Sequence, residues 1–154
     1  MGLMTLKDSI RADLTTAMKA RDKERSSTLR MVLASITEAE VAGDTAKELD
    51  DEEILTILTR EAKKRREASA AFAAGGRTDQ AEKEAAEAAI ITEYLPAQLS
   101  ESEISDLVSK AIAQVGAAGE GMKAMGKVMG VLTPQTKGRA DGSAVAAEVR
   151  KQLG

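Results

Sequence analysis

The sequence predicts an all-α fold, with a four-helix N-terminal part followed by a three-helix C-terminal part. Three observations carry this. Apolar residues recur at three- and four-residue spacing from end to end, and no stretch alternates as a half-buried strand does. Asp50 with Glu53, and Ser100 with Glu103, each set a capping side chain three residues before a glutamate that can reach back to it. Pro96 breaks the periodicity once, because the residue before a proline is pushed out of helical geometry.

Taken in order, Leu3, Leu6, Ile10, Leu14 and Met18 form the stripe of the first helix. Leu29, Val32, Leu33, Ile36 and Val41 form that of the second, which ends at Gly43. Asp50 opens a long third helix through Ile54, Leu58, Ala62 and Phe72, and Gly75-Gly76 stops it. Thr78 is placed to cap an alanine-rich fourth helix reaching Ile91, Tyr94 and Leu95. Beyond Pro96, Ser100 opens a fifth helix whose stripe is Ile104, Leu107, Val108, Ala111, Ile112 and Val115. Residues 116–121 read as a loop, and the sixth helix follows with Met122, Met125, Met129 and Leu132 on one face. A connection from Thr133 to Asp141 leads to the seventh, marked by Val145, Val149 and Leu153. The expected division is residues 1–96 and 97–154.

Composition narrows the chemistry. The chain has 154 residues with no cysteine and no histidine, so it has no disulfide, thiol nucleophile, thiolate metal site or imidazole base. No apolar run approaches the length of a membrane span, and no secretory leader is recognisable. The opening Met1-Gly2 is not a myristoylation signal, since Leu6 stands where Ser or Thr is required. A cytoplasmic protein without membrane association is expected. Residues 1–96 hold 15 Lys and Arg against 19 Asp and Glu, whereas residues 121–154 hold 6 against 2. An acidic body with a basic end suits an anionic partner, though it is far from the strongly basic composition of an autonomous nucleic-acid domain.

The run from Met122 to Gly142 is the most specific feature. It carries Gly126, Gly130, Gly138 and Gly142 together with Lys123, Lys127, Lys137 and Arg139, and no acid before Asp141. Glycine within a helix costs about 1 kcal/mol relative to alanine, so Gly126 and Gly130 require a reason. Either a neighbouring helix crosses closely there, or a phosphate backbone approaches the strip and meets the lysines. Lys137-Gly138-Arg139-Ala140-Asp141-Gly142 is a basic turn before a helix that Asp141 can cap; its first-turn N–H groups could also receive phosphate. Lys63-Lys64-Arg65-Arg66, preceded by Arg60, is denser in charge but wraps most of a helix circumference, with Glu61 and Glu67 at hand to pair. Ser26 and Ser27 lie among basic residues with no visible base, and only Phe72 and Tyr94 could stack on a nucleobase.

Tyr94-Leu-Pro-Ala-Gln-Leu-Ser100, Glu101-Ser-Glu103-Ile, Met125-Gly-Lys-Val-Met-Gly130 and Lys137-Gly-Arg-Ala-Asp-Gly142 together closely resemble the GatB/YqeY family, in its short stand-alone form. Ala62-Lys-Lys-Arg-Arg66 and Phe72-x-x-Gly-Gly-Arg77 fit the same family, so the resemblance spans nearly the whole chain. It implies similarity to the C-terminal helical and tail region of the B subunit of tRNA-dependent amidotransferase, which helps hold tRNA while the chemistry occurs elsewhere. Residues 97–154 would then be a tail-like domain. Carried over position by position, the implied tRNA contacts are Lys123, Gly126, Lys127, Gly130, Lys137, Gly138 and Arg139. The family label, a carbon–nitrogen ligase with glutamine as amido donor, finds no nucleotide site, metal site or glutaminase here. No cofactor, metal ligand or catalytic residue is therefore assigned. The expected function is a tRNA-binding or amidotransferase-like accessory protein, with an aminoacyl-tRNA synthetase or amidotransferase subunit as a further partner. The alternative is a helical protein–protein adaptor with no direct nucleic-acid role.

Overall fold

A computed structural model describes residues 4–154; Met1, Gly2 and Leu3 lie outside the described residues. Among these there are seven α-helices and no strand: α1 Leu6–Lys19, α2 Lys23–Glu40, α3 Asp51–Ala74, α4 Thr78–Thr92, α5 Glu101–Gln114, α6 Met125–Thr136 and α7 Gly142–Leu153. The chain separates into two compact units, the first ending at Leu95 and the second running Pro96–Gly154.

The helices begin where their caps dictate. Thr5 and Asp8 form a capping box at α1, Asp50 and Glu53 at α3, and Ser100 and Glu103 at α5. Each box satisfies two backbone donors that a helix start otherwise leaves open. At α4 the expectation fails: Thr78 is the first helical residue, and Arg77 occupies the cap position without a side-chain bond. The tight reversal after α3 sets this phase, because the Arg77 N–H is already taken by the Phe72 carbonyl at 2.8 Å and Gly76 adopts φ +79°.

In the first unit, Ile10, Leu29, Val32, Ile36, Ile54, Leu58, Ala62, Ile90 and Ile91 form the core, with Leu6, Leu14, Leu33 and Tyr94 packed at its margin. Met18 and Val41 leave their predicted stripes. Met18 sits at the end of α1, half exposed, while Ala17 takes the inward position. Val41 is the C-cap of α2 and faces water, since the helix ends at Glu40 and not at Gly43. Glu40 instead pins the following loop, accepting from Lys7 Nζ at 2.8 Å and from the Leu49 N–H at 3.3 Å.

The second unit buries Ile104, Val108, Ala111, Ile112, Ala117, Ala124, Val128, Leu132, Val145, Val149 and Leu153. The rows of α5 and α7 match their sequence periodicity. In α6 the buried row is Ala124, Val128, Leu132 and Thr136, and the methionine face is displaced to its flank: Met125 and Met129 are partly buried and Met122 is exposed. Met122 lies in the short 3-10 turn at Gly121–Ala124, which advances three residues per turn and leaves it out of phase with the α-helix that follows. Helix α6 also continues through Pro134 to Thr136, one turn into the connection expected from Thr133.

Candidate nucleic-acid interface

Helix α6 turns its Val128, Leu132 and Thr136 row to the core, so at 100° per residue its opposite face holds Gly126, Lys127, Gly130, Thr133 and Pro134, with Lys123 in the 3-10 turn just before it. All six of those residues are exposed. A methyl group added at Gly126 or Gly130 would meet nothing within 4 Å. Among the described residues of the second unit no helix crosses over either glycine, so close packing within that unit does not explain them. Gly130 has a partial reason of another kind. A proline ring crowds the carbonyl four residues before it, and for Pro134 that residue is Gly130, whose backbone tilts away most readily. Gly126 has no such neighbour.

Lys123 and Lys127 flank the glycine strip one helical turn apart. Lys127 Nζ lies 2.9 Å from a carboxylate oxygen of Glu120, a residue just upstream of the basic run. That lysine holds the Glu120 carboxyl below the usual range, chiefly through the hydrogen bond, and the charge of Lys123 adds to the pull. Four of the seven sequence-predicted contacts, Lys123, Gly126, Lys127 and Gly130, thus share one bare, basic surface.

The other three lie at the far end of α6, about 16 Å along the helix axis from Gly126 at 1.5 Å per residue. Lys137 is the C-cap. Gly138 is buried at φ +74°, and a Cβ there would stand 3.4 Å from the Pro96 ring. Arg139 donates from Nε to the Ala97 carbonyl at 3.1 Å, and its own carbonyl accepts from the Leu99 N–H at 2.8 Å. Gln98 completes the lacing, donating to the Gly138 carbonyl at 2.8 Å. The 96–99 segment and the 137–139 turn, two of the most recognisable stretches of sequence, form a latch that closes the second unit. Gly138 and Arg139 have structural work there that no ligand is needed to explain. Asp141 caps α7 by accepting from the Ser143 N–H at 3.1 Å.

Within the basic block of α3, Lys63, Lys64 and Arg65 have acidic neighbours within 4 Å, while Arg66, like Arg60, is exposed. Arg65 is directed to three glutamates, with Nη2 3.4 Å from Glu61 and Nε 3.3 Å from Glu87 and 3.7 Å from Glu84. It also contacts the Met31 sulfur. Glu61 is buried and accepts from the Ser35 hydroxyl at 3.1 Å. Burial and the adjacent Glu84 push the Glu87 carboxyl above its ordinary range, against the pull of Arg65. Lys63 pairs with Glu67 at 3.9 Å and Lys64 with Glu61 at 3.8 Å. Sequence reasoning missed the inward role of Arg65; its signal was Glu84 and Glu87, one turn apart on the alanine-rich α4. The Arg25 guanidinium grips Glu93 with two bonds of 3.1 and 3.0 Å, and Tyr94 donates to Asp13. Ser26 is buried rather than poised beside a base.

A family model described as Yqey-like protein matches residues 7–153. Altered inheritance of mitochondria protein 41, mitochondrial, of Pyrenophora tritici-repentis is 30% identical over 150 residues, covering 94% of this chain and 79% of the relative. An uncharacterized protein of Schizosaccharomyces pombe is 35% identical over 92 residues, 59% of this chain and 72% of the relative. The Meyerozyma guilliermondii protein that shares the first relative's name is 30% identical over 127 residues, 81% of this chain and 65% of its own length. No helix among the described residues is long and apolar enough to cross a membrane.

Proposed function

The chain belongs to the Yqey-like protein family, and we propose that it binds tRNA through the exposed face of α6, as an accessory to amidotransferase-like tRNA chemistry. One observation carries this reading: Gly126 and Gly130 are open to solvent, with Lys123 and Lys127 beside them on the side of α6 opposite the core. A missing side chain lets a sugar–phosphate backbone reach the helix surface, and an ammonium group on the flank meets the phosphate oxygens. The face lacks aromatic residues, so contacts to phosphate and sugar, not stacking on bases, supply the affinity. Lys137 extends the same surface toward the end of the helix.

The test is a fluorescence-anisotropy titration of labelled tRNA with the whole chain at a series of salt concentrations. Binding is expected at low salt and weakens as salt rises, by about 0.7–0.9 log–log units for each phosphate neutralised. Absence of binding at low salt overturns the reading. The chain alone is not expected to amidate glutamyl-tRNA supplied with ATP, magnesium and glutamine, because its sequence has no cysteine nucleophile and no phosphate-binding loop signature. Glutaminyl-tRNA above the no-protein control would restore the ligase label. The cytoplasm is the compartment this reading assigns.

A second reading, a protein–protein adaptor, draws on a groove of about 600 Å³ lined by Arg66 and Ser69 of α3, Ala85, Ala88, Ala89 and Thr92 of α4, and Glu93 just after it. A nuclease-treated pull-down that recovers one defined partner would favour it. A partner lost on nuclease treatment would favour tRNA.

A further inference from the structure

The loop before α6 holds its one carboxylate in a fixed place. Gly116, at φ +65°, ends α5, and the next residue, Ala117, is fully buried and donates its N–H to the Ile112 carbonyl at 2.9 Å. Glu120 then donates its N–H back to the Ala117 carbonyl at 3.0 Å, between Gly119 at φ +80° and Gly121 at φ +72°. Two consecutive hydrogen bonds, a buried methyl and flanking left-handed glycines set the backbone of Glu120. From that anchor the carboxylate reaches across to Lys127 Nζ at 2.9 Å. This is the separation at which an ammonium group meets a phosphate oxygen. The two side chains retain 35% and 48% of their exposure although the Glu120 Oε2 between them is shielded from solvent, so an incoming anion reaches the pair from the exposed side of Lys127.

We propose that Glu120 is a specificity-determining residue of this interface, an internal stand-in for phosphate that an RNA backbone must displace from Lys127. The proposal rests on the tRNA-binding reading above. A lone anion offers Lys127 nothing better than the carboxylate it already has. A backbone that also lies on the Gly126–Gly130 strip and reaches Lys123 does, because its other contacts offset the lost pair. Exposed pairs of this kind are worth a factor of about two to five in an equilibrium constant, so Glu120 tunes binding and does not block it. Glu120 also keeps its charge near the bound RNA, which retains about one cation that would otherwise be released.

The experiment titrates labelled tRNA with full-length wild type, Glu120→Gln, Glu120→Ala, Lys127→Gln and the Glu120→Gln/Lys127→Gln double variant across a salt series. Thermal unfolding of each variant serves as the folding control. Glu120→Gln and Glu120→Ala are expected to bind about two- to five-fold more tightly than wild type, with a salt slope steeper by about 0.7–0.9. In the Lys127→Gln background the gain disappears. Tighter binding that persists there overturns the proposal, because the effect would then come from net charge and not from this pair. Equal affinity of wild type and both Glu120 variants overturns it while leaving tRNA binding intact. If wild type does not bind and Glu120→Gln does, the proposal is overturned, because Glu120 would then block binding and not tune it. If no protein binds at low salt, the tRNA reading fails and this proposal fails with it.

Discussion

Helix α3 holds the densest positive charge in the chain and α6 a sparser set, yet their neighbours reverse the order of what each can offer. In α3, Arg65 turns to Glu61, Glu84 and Glu87, and Lys63 and Lys64 each have a glutamate within 4 Å. In α6, the helix itself has no acid, two positions have no side chain, and the carboxylate that pairs with Lys127 comes from the preceding loop. Charge written in a sequence becomes charge available to a partner only after the facing elements have taken their share. The same residue types consolidate a fold in one helix and leave a surface open in the other.

The strongest way to undo that contrast is to remove Arg65. Arg65→Met leaves three carboxylates crowded on the α3–α4 contact without their cation. Breaking one partner of a largely buried ionic cluster costs about 3 kcal/mol, and urea denaturation at neutral pH is expected to show a loss of that order. The pH dependence has a definite sign. Glu87 already has a raised folded-state pKa, so it favours the folded state when protonated and disfavours it once pH rises through that value. Without Arg65 the pKa rises further, so the deficit of Arg65→Met should shrink as pH falls toward the carboxylate range. A deficit independent of pH would mean that Arg65 acts by packing alone.

Next in size is a pair of double substitutions read against tRNA. Lys123→Gln/Lys127→Gln should weaken binding about tenfold near 0.1 M salt and flatten the log–log slope by about 1.4–1.8, two phosphates' worth. Lys63→Gln/Lys64→Gln removes the same formal charge from α3 and should change affinity by less than about twofold, as these lysines lie outside the proposed face of α6. Equal losses from both would show that tRNA responds to net charge and not to the face of α6. Arg139 is a poor probe, because its Nε holds the Ala97 carbonyl and a loss of binding there would report on folding as well.

Local signals made most of the fold readable. The capping boxes at Asp50 and Ser100 and the stripes of α5 and α7 depend on residues three or four apart, and the structure places them as the periodicity indicates. What escaped depends on longer range or on a change of helical phase. The 3-10 turn at Gly121–Ala124 has no periodicity of its own, so Met122 is exposed, while Leu132 is buried as expected and Met125 and Met129 pack beside a row that also holds Val128. Arg65 finds Glu84 and Glu87 only once α3 and α4 fold together. The latch between residues 96–99 and the 137–139 turn joins positions about 40 residues apart, and it gives Gly138 and Arg139 a structural role that a motif read along the chain cannot separate from a binding role.

The smallest expected effect separates those roles most cleanly. Gly126→Ala adds a methyl group where nothing lies within 4 Å, and alanine favours helix over glycine, so the variant should be more stable by about 0.5–1 kcal/mol. Gly130→Ala should gain less, a few tenths of a kcal/mol, because the Pro134 ring crowds the carbonyl of residue 130 and glycine eases that crowding. Neither change alters charge, so neither should move the salt slope. If a nucleic-acid backbone lies on the strip, both variants bind tRNA more weakly although they are at least as stable as wild type. Stability rising while affinity falls, at constant slope, is a combination that a purely structural glycine cannot produce. Unchanged affinity in Gly126→Ala would remove the strip from the interface and leave Lys123 and Lys127 as a charge contact alone.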